Sequence, residues 1–86
     1  MDKLKYDAYP AIFTYEDSQR IAVVFPDFDA ATSGTTDKDA LLSAQELLNC
    51  VLCGLEADGC PIPVPTPASD LQLQRNERVV LVKLHN

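Results

Sequence analysis

The sequence predicts a small α+β domain with the element order β-β-β-α-β, in which one long helix covers one face of a three- to four-stranded sheet. Three observations predict this fold. One long segment, residues 36–59, has helical periodicity. Short segments before it alternate apolar and polar side chains, and one apolar segment follows it near the C-terminus. At 86 residues, the chain has the length of a single domain, residues 1–86.

The helix is predicted from an apolar face with a marked start and end. Thr36 is a suitable N-cap, and Asp39 stands at the position of a capping-box acid. Gly59 can take the left-handed conformation that ends a helix. At about 100° per residue, the apolar side chains fall within an arc of about 140°. They are Ala40, Leu41, Ala44, Leu47, Leu48, Val51, Leu52 and Leu55.

The first strand is predicted at residues 6–15. Tyr9, Ala11 and Phe13 alternate onto one face of it, as expected for a strand with one buried side. Pro10 cannot donate a backbone hydrogen bond, so we expect it at the start of the strand or on an open edge. The helix must lie across one face of the sheet, so the strands supply the surface that covers its apolar side.

Two more strands are predicted before the helix. Residues 16–19 are polar and typical of a turn, and the second strand follows at residues 20–25. Because the link is short, the first two strands should form an antiparallel hairpin. A short third strand is predicted at residues 30–33, after which Gly34 turns the chain toward the helix.

The segment after the helix is an extended connector followed by a last strand. Four alternating prolines in residues 60–67 exclude helix and favour a rigid, polyproline-like path. Residues 70–76 are ambiguous between strand and loop. The last strand, residues 77–84, is apolar on both faces, so one face should meet the helix and the other a neighbour. Because so small a domain often completes its core by oligomerising, we expect a homo-oligomer.

The composition excludes several classes of function. Thirteen acidic and seven basic side chains give a net charge of −6, which disfavours direct binding to nucleic acid. The acidity suits a partner with a basic surface, although on charge alone solubility is the favoured explanation. Residues 1–5 contain no apolar signal-peptide core, and no apolar run approaches the roughly 18 residues of a membrane span. We therefore expect a cytoplasmic protein without membrane contact.

The cysteines are predicted to be ordinary free thiols. Cys50, Cys53 and Cys60 are spaced like metal ligands, but a closed zinc site needs four, and the only histidine, His85, lies at the C-terminus. Cys50 and Cys53 also lie late in the helix, away from the N-terminus that lowers a thiol pKa in redox motifs. No metal and no other cofactor are predicted.

Four aspartates form an acidic cluster in the sequence: Asp27, Asp29, Asp37 and Asp39. Their spacing is not that of a calcium loop. Asp37 and Asp39 are explained by the first turn of the helix, where acids favour the helix dipole. The chain also lacks a nucleophile elbow and a glycine-rich phosphate loop, so no catalytic residue is predicted and we expect no enzyme. A metal-dependent nuclease that uses Asp27, Asp29 and a helix carboxylate is the third hypothesis.

Four segments, taken in order, resemble the HicB antitoxin family. Residues 9–13 (Tyr-Pro-Ala-Ile-Phe) resemble its opening strand, and residues 24–28 (Val-Phe-Pro-Asp-Phe) resemble its Phe-Pro-Asp-Leu strand end. Residues 34–40 resemble its Gly-Asp-Thr-x-x-Glu-Ala helix start. Residues 58–65 resemble its Gly-x-Pro-Ile-Pro-x-Pro connector. Together these segments span most of the chain, from about residue 5 to residue 84.

The resemblance implies a partial RNase H-like fold that has lost its catalytic acids. It also implies a partner, a small basic HicA-like toxin that cleaves mRNA and that the antitoxin masks. Asp29 and Ala30 stand where the family usually has Pro-Gly, and the loop is about one residue shorter. Many members carry a C-terminal DNA-binding module. The sequence up to Asn86 contains none, so we expect no strong operator binding by this chain alone.

The function predicted from this resemblance is a non-enzymatic, antitoxin-like protein that masks its toxin. The alternative is a stand-alone oligomeric domain with a regulatory or structural role. The predicted partner contacts are Asp27, Phe28 and Asp29 in the loop after the second strand, chosen for their charge and aromatic ring. Glu46 is added for its place on the outer face of the helix.

Overall fold

The computed structural model describes residues 6–17 and 19–84. These residues form a four-stranded antiparallel sheet, one long helix and one short 3-10 turn. The predicted α+β fold, the β-β-β-α-β order and the packing of the helix on one sheet face are confirmed. The expectations for residues 1–5 and for His85 fall outside the described residues.

The sheet has the spatial order β3-β2-β1-β4, so β1 and β2 are central and β3 and β4 are its edges. Every neighbouring pair is antiparallel. The helix α1 runs back along the sheet and packs chiefly against β3. The bounds are β1 (Ala8–Tyr15), β2 (Ile21–Phe25), β3 (Ala30–Gly34), α1 (Asp37–Ala57) and β4 (Glu77–Lys83).

The core lies between the sheet and α1, and the alternation predicted for β1 is confirmed. The buried sheet residues are Tyr9, Ala11, Phe13, Ile21, Val23, Phe25 and Val82. The buried helix row is Ala40, Ala44, Leu48 and Leu52, with Leu41, Leu47 and Leu55 packed beside it. Burying each large side chain of this set stabilises the fold by about 1.5–3 kcal/mol before the cost of ordering the chain. The small alanines near the helix start let α1 approach the sheet closely.

Both predicted ends of the helix are confirmed. The Oγ1 atom of Thr36 accepts a hydrogen bond of 3.0 Å from the backbone N–H of Asp39, which is the N-cap interaction. The carboxylate of Asp39 accepts a hydrogen bond of 2.8 Å from the hydroxyl of Thr35. At the other end, Gly59 adopts a φ of 70°, and the helix stops at Ala57.

Pro10 is the third residue of the central strand β1, near its start but not on an open edge. The N–H of Tyr15 donates to the carbonyl of Asn76, so odd-numbered residues of β1 bond to β4 and even-numbered ones face β2. Pairing with β2 begins only at Ile12, opposite Val24. The missing N–H of Pro10 therefore falls beyond that ladder, and a central strand tolerates the proline.

The sheet side away from α1, here called the open face, is apolar over β1, β2 and β4. The strand side chains that alternate to this side include Pro10, Ile12, Val24, Val79 and Leu81. Leu81 is 60% exposed and Val24 is 42% exposed. The prediction that β4 is apolar on both faces is confirmed, and its second face has no cover from another strand of the described residues.

The proline connector crosses from the end of α1 to the open face. Residues 65–68 line a groove there of about 450 Å³, together with Pro10, Val79 and Leu81. A 3-10 turn follows at Ala68–Asp70, and residues 71–76 form no strand, which resolves the ambiguous segment as a loop. This path carries the chain back along the sheet to the start of β4.

The helix α1 has the length and apolar composition of a membrane span. The same composition is found in helices that cover the core of a water-soluble domain, and here Ala40, Ala44, Leu48 and Leu52 pack on the sheet. Length and composition are therefore weak grounds for placing α1 in a membrane.

Candidate partner-binding surface

The turn between β2 and β3 spans residues 26–29 and contains three of the four predicted contact residues. The backbone N–H of Phe28 donates to the carbonyl of Phe25 at 3.1 Å and closes the turn. The ring of Phe28 is half-buried, with its centroid 4.8 Å from that of Tyr9 and 6.1 Å from that of Phe25. Tilted and edge-on rings at these separations attract each other. Phe28 therefore anchors the turn to the core.

Asp27 fastens the proline connector to this turn. One carboxylate oxygen accepts from the backbone N–H of Thr66 at 3.0 Å. The other accepts from the hydroxyl of Thr66 at 2.5 Å. Hydrogen bonds to a charged carboxylate are stronger than those between neutral groups. Asp27, one of the predicted partner contacts, thus forms its hydrogen bonds within the chain, to a residue 39 positions away.

Tyr9 fastens the same connector from the core side. Its hydroxyl donates to the carbonyl of Pro63 at 2.6 Å, and its side chain is fully buried. Burial raises the pKa of Tyr9, and the nearby negative charge of Asp27 raises it further. The neutral hydroxyl that donates this bond is therefore the form that the fold stabilises.

Asp29 and Glu46 are the two predicted contact residues with exposed side chains. Asp29 ends the turn, directly before the edge strand β3. Glu46 lies on the outer side of α1, which packs over β3. Asp29 therefore lies beside the edge strand β3, and Glu46 lies on the helix face that points away from the sheet.

The outer side of α1 forms a stripe defined by Asp39, Leu42, Glu46, Cys50 and Cys53. These residues fall within about 80° on the helix, and all five are exposed. Over 14 residues the stripe is about 20 Å long. Leu42 is 50% exposed and lies between the two acids of the stripe. An apolar side chain flanked by carboxylates suits a partner with an apolar spot and basic groups around it.

The acids at the start of α1 have structural partners. Asp37 accepts a hydrogen bond of 2.7 Å from the hydroxyl of Tyr15, and this bond is the main cause of the raised pKa of Tyr15. Asp37 and Asp39 both lie in the first helical turn, where the helix dipole favours them. The explanation proposed from the sequence for these two acids agrees with their positions.

Cys50, Cys53 and Cys60 are free and exposed. Among residues 6–17 and 19–84, no three side chains of the His, Cys, Asp and Glu types are grouped so that they could hold a metal ion. The nuclease hypothesis requires Asp27 and Asp29 to converge with a helix carboxylate. The structure instead directs Asp27 to Thr66 and leaves Asp29 exposed at the end of the turn.

The structure thus separates the four predicted residues into two groups. Asp27 and Phe28 shape the turn, whereas Asp29 and Glu46 face solvent. The residues that sequence reasoning missed are Tyr9, Pro63 and Thr66, which hold the connector against the turn. The sequence shows an extended proline segment, but it carries no signal for which side chains fasten it.

No protein-family model matches this chain, and no curated protein matches it. Its fold is similar to a chain in the solved structure of a "Toxin-Antitoxin complex from Streptococcus pneumoniae". The TM-score is 0.83 and the sequence identity is 25%, over 91% of this chain and 68% of that chain. The likeness is to a toxin–antitoxin protein.

This similarity supports a toxin–antitoxin protein as the broad class of the chain, and an antitoxin-like role within it. An antitoxin-like chain has a surface for a protein partner, and the exposed acids Asp29 and Glu46 are the candidates for that surface.

Proposed function

We propose that this chain is a HicB-like antitoxin that binds and masks a small basic, mRNA-cleaving toxin of the HicA-like type. The fold similarity to a chain of a toxin–antitoxin complex carries the proposal. Neutralisation is by occlusion and needs no catalytic group in this chain. Since the toxin acts on mRNA, the complex forms in the cytoplasm.

The charge of the chain supports this kind of partner. A net charge of −6 favours encounter with a basic protein and disfavours direct contact with nucleic acid. The toxin's own substrate is a polyanion, so its RNA-binding surface must be basic. An acidic surface on this chain can occupy the toxin's basic RNA-binding surface and so exclude RNA. It does not need to reproduce the shape of RNA.

The contact surface that we propose combines the β2–β3 turn with the outer stripe of α1. Asp29 and Glu46 supply exposed carboxylates, and Leu42 supplies an exposed apolar contact. Asp27 and Phe28 act indirectly, because they hold the turn that presents Asp29. This arrangement joins a small apolar centre to a charged rim, as protein interfaces commonly do.

A short basic reading frame directly beside that of this chain would supply the toxin candidate, and co-expression with its product tests the function. We expect the basic protein alone to stop growth and degrade mRNA, and this chain to restore growth and to co-purify with it. Failure of both rescue and co-purification contradicts the antitoxin proposal. A stable chain without any such partner would favour the stand-alone domain instead.

Charge reversals test the surface. Asp29→Lys and Glu46→Lys each place a basic group against a basic partner, and we expect each to weaken the complex about fivefold, an effect that salt reduces. Asp70→Lys is the matched control, since it makes the same charge change at an exposed site in the 3-10 turn. Equal affinity loss for all three variants would show that only net charge matters and would refute the proposed surface.

A further inference from the structure

The outer edge of β4 is an unpaired strand with a defined hydrogen-bonding pattern. The N–H of Leu84 donates to the carbonyl of Asp7, and the N–H of Tyr15 donates to the carbonyl of Asn76. In an antiparallel ladder the pattern alternates, so the even-numbered residues of β4 bond to β1. The odd-numbered residues, including Val79 and Leu81, therefore direct their N–H and C=O groups outward. Within the described residues, no further strand pairs with them.

An unpaired edge strand can pair with other chains and cause aggregation unless another element covers it. β4 is seven residues long, and it carries none of the prolines that would block pairing. Its open-face side chains are Glu77, Val79, Leu81 and Lys83. Leu81 is 60% exposed, beside the apolar groove that residues 65–68 form with Val79. Leu81 and Val79 therefore make this unpaired edge a candidate surface for another strand, provided that its charged residues find opposite charges on the partner.

The order of side chains along β4 is self-complementary. When two copies of β4 pair antiparallel about a two-fold axis at Val80, Glu77 faces Lys83 of the second copy, and Val79 faces Leu81 of the second copy. Each of these contacts occurs twice. Opposite charges and apolar pairs directly across two strands both stabilise the pairing.

The backbone permits the same register. The facing pairs Glu77 with Lys83 and Val79 with Leu81 join odd-numbered residues, whose N–H and C=O groups already point outward. The Val80 pair then lies at a non-hydrogen-bonded position, where Cα atoms approach to about 4.5 Å. The leucine of the second copy enters beside Val79, at the groove lined by Pro65 and Pro67. Side chains and backbone therefore select one register.

We propose that two copies of this chain pair through their β4 strands in this register and form one continuous eight-stranded antiparallel sheet, four strands from each copy. Charge favours a second copy over a basic partner at this edge. Of the strand side chains on the open face, only Glu77 and Lys83 are charged, and they have opposite signs. The exposed acid Asp29 lies beside the opposite edge strand β3, and the exposed acid Glu46 lies on the outer face of α1. The dimer does not depend on the proposed toxin binding.

Cross-linking tests the register in this chain with Cys50, Cys53 and Cys60 changed to serine, which is a mild change because all three are exposed. Val80→Cys should give a dimer under diamide, since its Cα separation of about 4.5 Å fits a disulfide. Lys83→Cys is the matched control. Two copies of residue 83 would lie six residues apart along the strands, about 20 Å, and should not cross-link.

A charge reversal tests the same contact without an added thiol. Lys83→Glu places a carboxylate against Glu77 of the second copy twice, and we expect dimer dissociation to rise about tenfold in sedimentation analysis. Lys38→Glu is the control, because it makes the same charge change at an exposed site in the first helical turn. Adding Glu77→Gln to Lys83→Glu should recover part of the affinity. The glutamine oxygen can still accept from the Gln74 N–H, while its NH2 group donates to the Thr14 hydroxyl.

The proposal is overturned if the chain sediments as a monomer at about 100 µM. It is also overturned if Lys83→Cys cross-links and Val80→Cys does not. The same holds if Lys83→Glu and Lys38→Glu raise dimer dissociation equally. It is likewise overturned if Lys83→Glu releases a co-purified toxin while the free chain stays monomeric, because the edge would then be the toxin site. Toxin rescue by the Lys83→Glu variant, with the dimer weakened, would support the dimer. It would also show that dimer formation through β4 and toxin binding are independent of each other.

Discussion

The contact between Asp27 and Thr66 gives the sharpest test of how this chain holds its shape. Asp27→Ala removes the acceptor of two hydrogen bonds, one from the backbone N–H and one from the hydroxyl of Thr66. The N–H then loses its partner in a half-buried position. The connector that crosses to the open face is left with the Tyr9 hydroxyl as its other fastening among these contacts.

The expected cost follows from those two bonds. A hydrogen bond to a charged group contributes about 1.5–3 kcal/mol, and two bonds to one carboxylate do not add in full. For a half-exposed site we expect Asp27→Ala to lower the free energy of unfolding by about 2 kcal/mol. In a domain of this size, that corresponds to a fall in Tm of about 8–16 °C.

Urea unfolding followed by circular dichroism measures this cost. Asp29→Ala is the matched control, because it removes the same charge from an exposed position in the same turn. We expect it to change stability by less than about 0.5 kcal/mol. Thr66→Val removes the hydroxyl but keeps the backbone N–H, and should cost about 1 kcal/mol.

The double variant isolates the contact. With Asp27 already replaced, Thr66→Val should cost almost nothing, which gives a coupling energy of about 1 kcal/mol. Equal stability of Asp27→Ala and Asp29→Ala would refute the assignment of Asp27 to a structural role, and would return Asp27 to the candidate partner contacts. The comparison matters for toxin binding as well, because a destabilised turn lowers affinity without any direct contact.

Three further perturbations test other parts of the fold. Gly34→Ala should destabilise by about 1–3 kcal/mol or more, since its Cβ would lie 2.4 Å from the backbone nitrogen of Ala40; thermal unfolding would show this. Gln19→Gly should raise the free energy of unfolding by about 0.5–1 kcal/mol and so shift the urea midpoint upward, because Gln19 has a φ of 63°; an unchanged midpoint would contradict strain there. Tyr9→Phe should cost about 1 kcal/mol at pH 7 through the lost bond to Pro63. Because the folded pKa of Tyr9 is raised, its stabilisation is present below about pH 10 and is lost as pH rises through the folded value. The gap between wild type and Tyr9→Phe should therefore close in unfolding curves recorded above pH 10, and a constant gap would argue against the raised pKa.

The candidate surface could be predicted only in part. Exposure of Glu46 follows from its place on the helix wheel, because the apolar arc fixes which side of α1 faces the sheet. Asp27, Phe28 and Asp29 have similar local sequence signals of charge and aromaticity. Their different roles depend on Thr66 and Tyr9, which come from other parts of the chain.

The sequence by itself determined the elements of this protein, because their physics is local. The N-cap of Thr36 acts within three residues, Gly59 ends the helix where it stands, and alternation along β1 sets its buried face. Only the tertiary structure decided that β4 pairs with β1, that the connector crosses to the open face, and that Asp27 binds Thr66. Those contacts join residues about 40 to 75 positions apart. At such separations the partner of each residue is set by how the strands assemble into the sheet, because no local preference acts over that distance.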